Sequence, residues 1–269
     1  PVDIGLKLPS GTNDNLPTAV QGMIRNDTSE TTGGSDSAII HYNGADWNYF
    51  AATESVDNPN LIMYLNASDT TSYPGTGTTW FDLTPNGNNG TLSTPSWNSN
   101  YFHFNGTSDI VTTSGFYGFS VQTWSIWVNP DVLERACFMQ TYPSTNPIPA
   151  GAMYVEMSNT SGNVEAGVRN SSGSTINVTS TATLTVGTWT HVAVTSDGSN
   201  IKIYIDYAAP VSAAATVSSL GTNTQSLVLG YEPRNIRHWF DGEMSKVRVY
   251  DTALTQSEIN VLVAEGSGA

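Results

Sequence analysis

The sequence predicts an all-β protein of the antiparallel two-sheet sandwich type with one short C-terminal helix, and three observations predict it. Charged residues make up only 12% of the 269 positions, and Thr, Ser, Asn and Gly carry the polar load instead. Such residues suit turns and solvated strand faces rather than long surface helices. Apolar and polar residues alternate in short runs separated by turn residues, which is the period of half-buried strands. Helix-start chemistry is well signalled at one place, near the end of the chain.

Residues 1–56 differ in texture from the rest. They are rich in Asn, Thr, Ser, Pro and Gly, with short apolar clusters at Gly22-Met23-Ile24-Arg25 and Ile39-Ile40-His41-Tyr42. These predict two short strands with a loop at Thr31-Thr32-Gly33-Gly34. Asn43-Gly44 is a strong hairpin-turn dipeptide, and Trp47, Tyr49 and Phe50 form an aromatic patch behind it. A segment this small buries little core alone. It is expected to dock on the main domain, on sister subunits or on a larger assembly, with Met23, Ile24, Tyr42, Trp47 and Phe50 as the candidate assembly residues.

Residues 57–269 read as one domain, since all-β sandwiches often use about 200–250 residues as a single unit. A core of that size needs no disulfide support. The clearest hairpin runs from Trp189 to Asp206. Thr190, Val192 and Val194 point one way, Asp197-Gly198 turns the chain, and Ile201, Ile203 and Ile205 alternate with Lys202, Tyr204 and Asp206. Trp124, Ile126 and Val128 alternate likewise, as do Val247 and Val249. The Pro-rich run 143–149 predicts a rim loop. Thr255-Gln256-Ser257-Glu258 is a capping box, flanked by Leu254 and Ile259 at staple positions. Ile259, Leu262 and Val263 then supply one apolar stripe, predicting a short helix that closes an edge of the sandwich.

Charge excludes whole classes of partner. The net charge is -14 with nine Lys and Arg. A nucleic-acid binder needs a basic stripe to displace phosphate counterions, and none exists here. Anionic membranes are disfavoured for the same reason, and no run is long and apolar enough to cross one as a helix. The acidic balance favours solubility and attracts cations. Cys137 is the single cysteine. It lies in an apolar run with Ala136, Phe138 and Met139, and is expected to be a small buried hydrophobe. No signal peptide is visible. The Pro1-Val2 start fits a cytoplasmically made chain with its initiator Met trimmed, and a cleaved signal peptide would look the same.

Several segments resemble a known family in order. Tyr64-Leu65-Asn66-Ala67, the run 72–83 with Tyr73, Trp80, Phe81 and Asp82, and Asn86-Gly87-Asn88-Asn89-Gly90 resemble the opening of concanavalin A-like/laminin-G domains of phage and bacterial surface proteins. Phe104-Asn105-Gly106-Thr107-Ser108-Asp109 resembles the next strand and turn. The run 119–128, with Trp124 and Trp127, resembles the central strand. Gly187-Thr188-Trp189-Thr190-His191-Val192-Ala193 resembles the strand G-x-W-x-H-V-A, and the run 242–255 the closing strand and helix entry. The resemblance covers roughly residues 60–265 and implies a jelly-roll sandwich. In the N-terminal piece, Leu8-Pro9-Ser10-Gly11-Thr12, Gly22-Met23-Ile24-Arg25-Asn26 and Tyr42-Asn43-Gly44 with Trp47 resemble a short module of tailed-phage fibres and virion appendages.

Candidate chemistry follows. Glycosidases need paired carboxylates, one to protonate the leaving oxygen and one to attack or activate water. No E-x-D-x-x-E run is present, and Glu156, Glu165 and Asp206 stand isolated on their strands. Asp241 and Glu243 sit two apart, a spacing common on solvated sheet faces. His41, His103, His191 and His238 are scattered without partners at metal-ligand spacing, and His191 reads as structural. No Gly-x-Ser-x-Gly elbow occurs.

Tyr231, Arg234, Arg237, His238 and Trp239 form a concentrated patch in a base-poor chain. They are either a sugar or subunit contact or a rim loop whose Arg residues pair with nearby acids. The family resemblance implies Ca²⁺ at the sandwich rim, bound by oxygen ligands as suits a hard cation. Asn86, Asn89 and Asp109 are the candidate ligands, and turn formation is the alternative reading of those residues. The two resemblances together imply a non-enzymatic virion structural protein, displayed as capsid decoration, tail fibre or appendage and made in the host cytoplasm. Its expected partners are other virion proteins, further copies of itself in a homo-oligomer such as a trimer, and host glycans. The alternatives are a free extracellular lectin-like module and, third, a glycan-cleaving enzyme.

Overall fold

The structure is a computed structural model that describes residues 59–113, 121–144, 148–170, 172–215, 225–233 and 238–269, together with the backbone of four strands before them. The chain divides into two compact units, Pro1–Asn58 and Pro59–Ala269.

In the first unit the strands are β1 (Ser10–Gly11), β2 (Ile24–Asp27), β3 (Ala38–Tyr42) and β4 (Trp47–Phe50). β1 runs parallel to β2, and the other pairs are antiparallel, giving the order β1-β2-β3-β4. The register pairs Ile24 with His41, Tyr42 with Trp47 and Ile39 with Phe50. The sequence pattern predicts two strands here. β1 is too short for alternation to show, and β4 reads as an aromatic patch until its partner β3 is known. Met23, the loop at 31–34 and the Asn43-Gly44 turn lie outside the described residues.

The second unit carries β5 (Leu61–Leu65), β6 (Thr79–Trp80), β7 (Gly90–Ser93), β8 (Ser96–Trp97), β9 (Phe102–Asn105) and β10 (Ile110–Thr113). It continues with β11 (Val121–Pro130), β12 (Ala136–Gln140), β13 (Met153–Met157), β14 (Asn163–Arg169) and β15 (Thr175–Thr183). The last strands are β16 (Thr190–Asp197), β17 (Asn200–Ile205), β18 (Val211–Ala214), β19 (Val228–Leu229) and β20 (Asp241–Tyr250), followed by helix α1 (Gln256–Ala264). They form two antiparallel sheets. The front sheet has the order β15-β14-β13-β12-β19-β10-β7-β6. The back sheet has the order β18-β17-β16-β11-β20-β9-β8, with β5 also paired to β20. This is the two-sheet sandwich with a jelly-roll fold that the sequence predicts.

Side-chain alternation builds the core between the sheets. Trp124, Ile126 and Val128 of β11 face Phe138 of β12, Val155 of β13 and Val164 of β14, all fully or nearly fully buried. Trp80, Phe102, Phe104 and Phe240 fill the other end. Each such side chain contributes about 1.5–3 kcal/mol on leaving water.

The central back-sheet strands β11, β16 and β20 are buried on both faces rather than half-buried as alternation predicts, whereas β9 and β18 toward the edges alternate. Outward-facing Trp127, Ala193, Tyr204 and Tyr250 pack with Leu61 and Tyr64 against Leu254, Ile259, Leu262 and Val263 of the helix region. The helix therefore covers a sheet face rather than an edge, because its apolar stripe needs apolar area that an edge does not offer. Its start is as predicted: Thr255 accepts from the Glu258 amide, and the Glu258 carboxylate accepts from the Thr255 amide.

Under this cover lies a buried polar group. His191 Nε2 is 2.7 Å from Ser125 Oγ, and both residues are fully buried. Burial, reinforced by the Arg248 charge, holds the His191 pKa down at about 3. Arg248 is 1% exposed, lies 4.0 Å over the Tyr64 ring and pairs with Glu265. Lys246 Nζ donates to the Glu265 and Gly266 carbonyls, fastening the C-terminal tail. Among the described residues no helix is long and apolar enough to cross a membrane.

Candidate functional site

The outer face of the front sheet holds a cleft of about 230 Å³ lined by Arg135, Gln140, Tyr142, Tyr154, Glu156 and their neighbours. Alternation places these side chains. Met153, Val155 and Met157 of β13 enter the core, so Tyr154 and Glu156 point outward. Val164, Ala166 and Val168 of β14 do the same, leaving Glu165 and Gly167 outward. In β12 the register shifts between Cys137 and Met139. Cys137 faces the cleft by alternation between inward Ala136 and Phe138, and the bulge then sends Met139 inward as well and turns Gln140 to the cleft.

Two rows therefore cross the sheet. One runs Cys137, Glu156, Glu165, Thr179, and the next runs Gln140, Tyr154, Gly167, Asn177. Gly167 has a structural reason to be glycine. A Cβ there would sit 2.3 Å from Tyr154 Cε1, so the bare backbone lets the Tyr154 ring lie down across β14. From that position the Tyr154 hydroxyl donates to Glu165 Oε1 at 2.6 Å. Burial, then this bond to a carboxylate, pushes the Tyr154 pKa up. The Tyr142 ring meets Tyr154 edge-on at 5.4 Å.

Glu156 is buried and accepts two bonds from Arg135 at Oε1, from Nε at 3.0 Å and Nη2 at 2.7 Å. Burial raises its pKa, and the Arg135 guanidinium opposes the rise. His238 Nδ1 lies 3.1 Å from Glu232 Oε2 and 3.8 Å from Glu156 Oε2. Cys137 is buried as expected, but on the cleft side of β12 rather than in the core, and burial drives its thiol pKa well up.

The structure joins part of the predicted patch to this cleft. Tyr231 and Trp239 stack at 4.5 Å with planes 18° apart. The Tyr231 carbonyl accepts from Gln140 Nε2 at 3.1 Å, which places the stack beside the cleft. His238 sits between the cleft carboxylates with a backbone φ of 53°, a left-handed conformation unusual for a non-glycine residue. Arg234 and Arg237 lie outside the described residues.

Glu156 and Glu165, isolated in the sequence, are direct cross-strand partners. Their pairing is invisible along either strand because the sheet assembles it across strands. The available signal was Tyr-x-Glu at 154–156 against Glu-x-Gly at 165–167, legible once the hairpin register is known.

The candidate calcium ligands are woven into turns. Asn89 Oδ1 accepts from the Asp82 amide at 2.8 Å, and Asn86 Nδ2 donates to the Ile62 carbonyl at 3.1 Å. Asp109 is buried and accepts from Thr94 Oγ1 at 2.5 Å and the Asn105 amide at 3.0 Å. Elsewhere the fold gathers a group that the sequence leaves scattered. His103, Asp131 and Asp241 offer ligand atoms all within 4.8 Å of one another.

Comparison with known proteins gives the fold a family. No curated protein sequence matches the chain significantly. Among solved structures, the binding domain of Paraclostridial Mosquitocidal Protein 1 superposes with a TM-score of 0.55 at 16% identity, over 76% of this chain and 52% of that one. The receptor binding domain of botulinum neurotoxin C/D mosaic serotype gives 0.57 at 12% identity, over 78% and 52%. The chain thus spans about half the length of these two relatives. Domain 4 of AbnA, a GH43 extracellular arabinanase from Geobacillus stearothermophilus, solved with arabinotriose, gives 0.58 at 20% identity, over 76% of this chain and 98% of that one. A mutant of Trypanosoma rangeli sialidase also superposes, at 0.58 and 15% identity over 78% of this chain and 34% of that one. Relatives of this fold thus include binding domains as well as parts of glycosidases. The family model of the concanavalin A-like lectin/glucanases superfamily matches residues 104–260, more than half of the chain, and the protein belongs to that superfamily.

Proposed function

We propose that the chain is a non-catalytic glycan-binding module that holds a neutral oligosaccharide in the front-sheet cleft. The observation that carries this reading is the pair of cross-strand rows, which set a recumbent Tyr154 ring beside carboxylate and amide groups. Sugars present apolar C–H faces and hydroxyl edges, so an aromatic floor with flanking acceptors and donors matches both. Gln140, Asn177 and Thr175 supply neutral polar groups along the cleft. Glu156, Glu232 and the neighbouring Glu165 outweigh Arg135 in charge, which disfavours sialylated or sulfated glycans.

The hydrogen bonding supports binding over cleavage. A glycosidase needs one carboxyl that donates a proton and another free to attack or activate water. Glu165 is taken up by Tyr154, Asn177 and Thr179, and Glu156 by Arg135. Display on a phage virion, as capsid decoration or tail appendage, is supported by the N-terminal resemblance, with residues 1–56 as the segment that assembles with other virion proteins or further copies of the chain. On such a particle, repetition turns weak single contacts into avidity.

A glycan array probed with the full chain, followed by overnight incubation with any ligand found, tests the reading. Retention of neutral oligosaccharides without release of shorter products supports it. Exclusive retention of acidic glycans, or steady product release abolished in Glu156→Gln, contradicts it.

A further inference from the structure

The geometry points to a divalent-cation site of the borderline transition-metal type, such as zinc, formed by His103, Asp131 and Asp241 on the outer face of the back sheet, away from the glycan cleft. Three separate parts of the chain meet there: β9 brings His103, the end of β11 leads into Asp131, and β20 opens with Asp241. Their ligand atoms lie within 4.8 Å of one another. His103 Nε2 and Asp131 Oδ2 are already 3.1 Å apart.

The backbone holds the group in place. The Asp131 amide donates to the Asp241 carbonyl at 3.0 Å, and the Gly106 amide donates to the Phe240 carbonyl at 3.0 Å. Gly106, at φ +69°, leaves room for the Asp241 side chain, whose Oδ2 would stand 3.2 Å from any Cβ at that position.

A second observation comes from the adjoining row of side chains. His103, Glu243 and Asn129 are successive cross-strand partners on β9, β20 and β11. Among the described residues, Glu243 Oε2 and Asn129 Oδ1 are shut off from solvent and have no hydrogen-bond partner. The Asn129 side chain bonds the Glu243 carboxylate, and the row still keeps acceptors to spare beside the cluster. Three carboxylates, those of Asp131, Asp241 and Glu243, also gather around one imidazole, an imbalance that a divalent ion corrects.

The donor set selects the metal. Calcium and magnesium prefer all-oxygen shells, whereas an imidazole nitrogen with carboxylates suits zinc, nickel or iron. The partly exposed position leaves room for water to complete the shell.

The test is calorimetric titration of zinc chloride into the full chain after chelation and dialysis, with calcium chloride in parallel. The expected result is one saturable equivalent of zinc, bound at least tenfold more tightly than calcium. His103→Ala and Asp241→Asn should each weaken it at least tenfold, and His238→Gln should leave it unchanged. Thermal unfolding without metal establishes that each variant is folded. Asp131→Asn, at an exposed position, carries the same expected loss should Asp241→Asn fail to fold. Absence of saturable zinc binding, binding indifferent to His103→Ala, or a preference for calcium overturns the proposal.

Discussion

Gly167→Ala is the smallest change that should disturb the cleft without removing a polar group. The new Cβ would stand 2.3 Å from Tyr154 Cε1, 2.6 Å from Cζ and 2.8 Å from Asn177 Oδ1. Carbon contacts are comfortable at about 3.5–4.0 Å, so the ring must lift by roughly 1 Å. Overpacking of this kind costs about 1–3 kcal/mol in a closed core. Here the ring can rise into the cleft, and the low end applies. Lifting also strains the 2.6 Å bond from the Tyr154 hydroxyl to Glu165.

Restoring the flat ring on binding should then cost roughly 1 kcal/mol, or about a fivefold loss of glycan affinity. The unfolding midpoint should fall by about 2–4 °C for each kcal/mol lost at this chain size. Calorimetric titration of an array-selected oligosaccharide reads the first quantity and differential scanning calorimetry the second. Tyr154→Phe is the control, since it keeps the ring and loses only the hydroxyl bond, and it should retain most of the affinity. Wild-type affinity in Gly167→Ala would refute the reasoning, as would an equal loss in Tyr154→Phe.

Three further outcomes follow from the scaffold. Glu265→Ala strands the buried Arg248 charge and should cost about 3–5 kcal/mol in chemical denaturation, whereas Arg248→Met combined with Glu265→Leu should cost less than the single change. His191 has its folded pKa lowered to about 3 from 6.5, so below pH 6.5 the unfolded chain binds a proton that the folded chain refuses. Stability should fall as pH drops from 6.5 toward 3, by up to about 1.4 kcal/mol per unit, and His191→Gln should flatten that slope in urea titrations at stepped pH. Thr255→Ala removes the cap of α1 and should cost about 1 kcal/mol by the same measurement.

Much of this fold was legible because its signals are local. The alternation around Val192 and Ile203, the Asp197-Gly198 turn and the Thr255-to-Glu258 capping box each lie within a few residues and need no partner to be read. The cleft was less legible because it is assembled across strands. Glu156 and Glu165 look isolated in sequence, and only the β13–β14 register makes them neighbours. The bulge after Cys137 sends Met139 inward and Gln140 to the cleft, and a one-residue shift of this kind leaves no mark on composition. His103, Asp131 and Asp241 are brought together by sheet order alone. The sequence points the helix to an edge because it shows the apolar stripe but not the apolar outer face formed by Trp127, Tyr204 and Tyr250. Tyr231 and Trp239 could be singled out early because aromatic residues clustered with Arg and His are unusual in so base-poor a chain.

The central claim is that the front-sheet cleft binds neutral glycan over the Tyr154 ring, with the Tyr142 ring edge-on beside it. Its most direct test is calorimetric titration of one array-selected neutral oligosaccharide into the wild-type chain and into Tyr142→Ala/Tyr154→Ala, both verified as folded by circular dichroism. The account predicts saturable binding to the wild type and at least a tenfold loss in the double variant. Equal affinity in both proteins would contradict it and locate any sugar contact elsewhere on the sandwich.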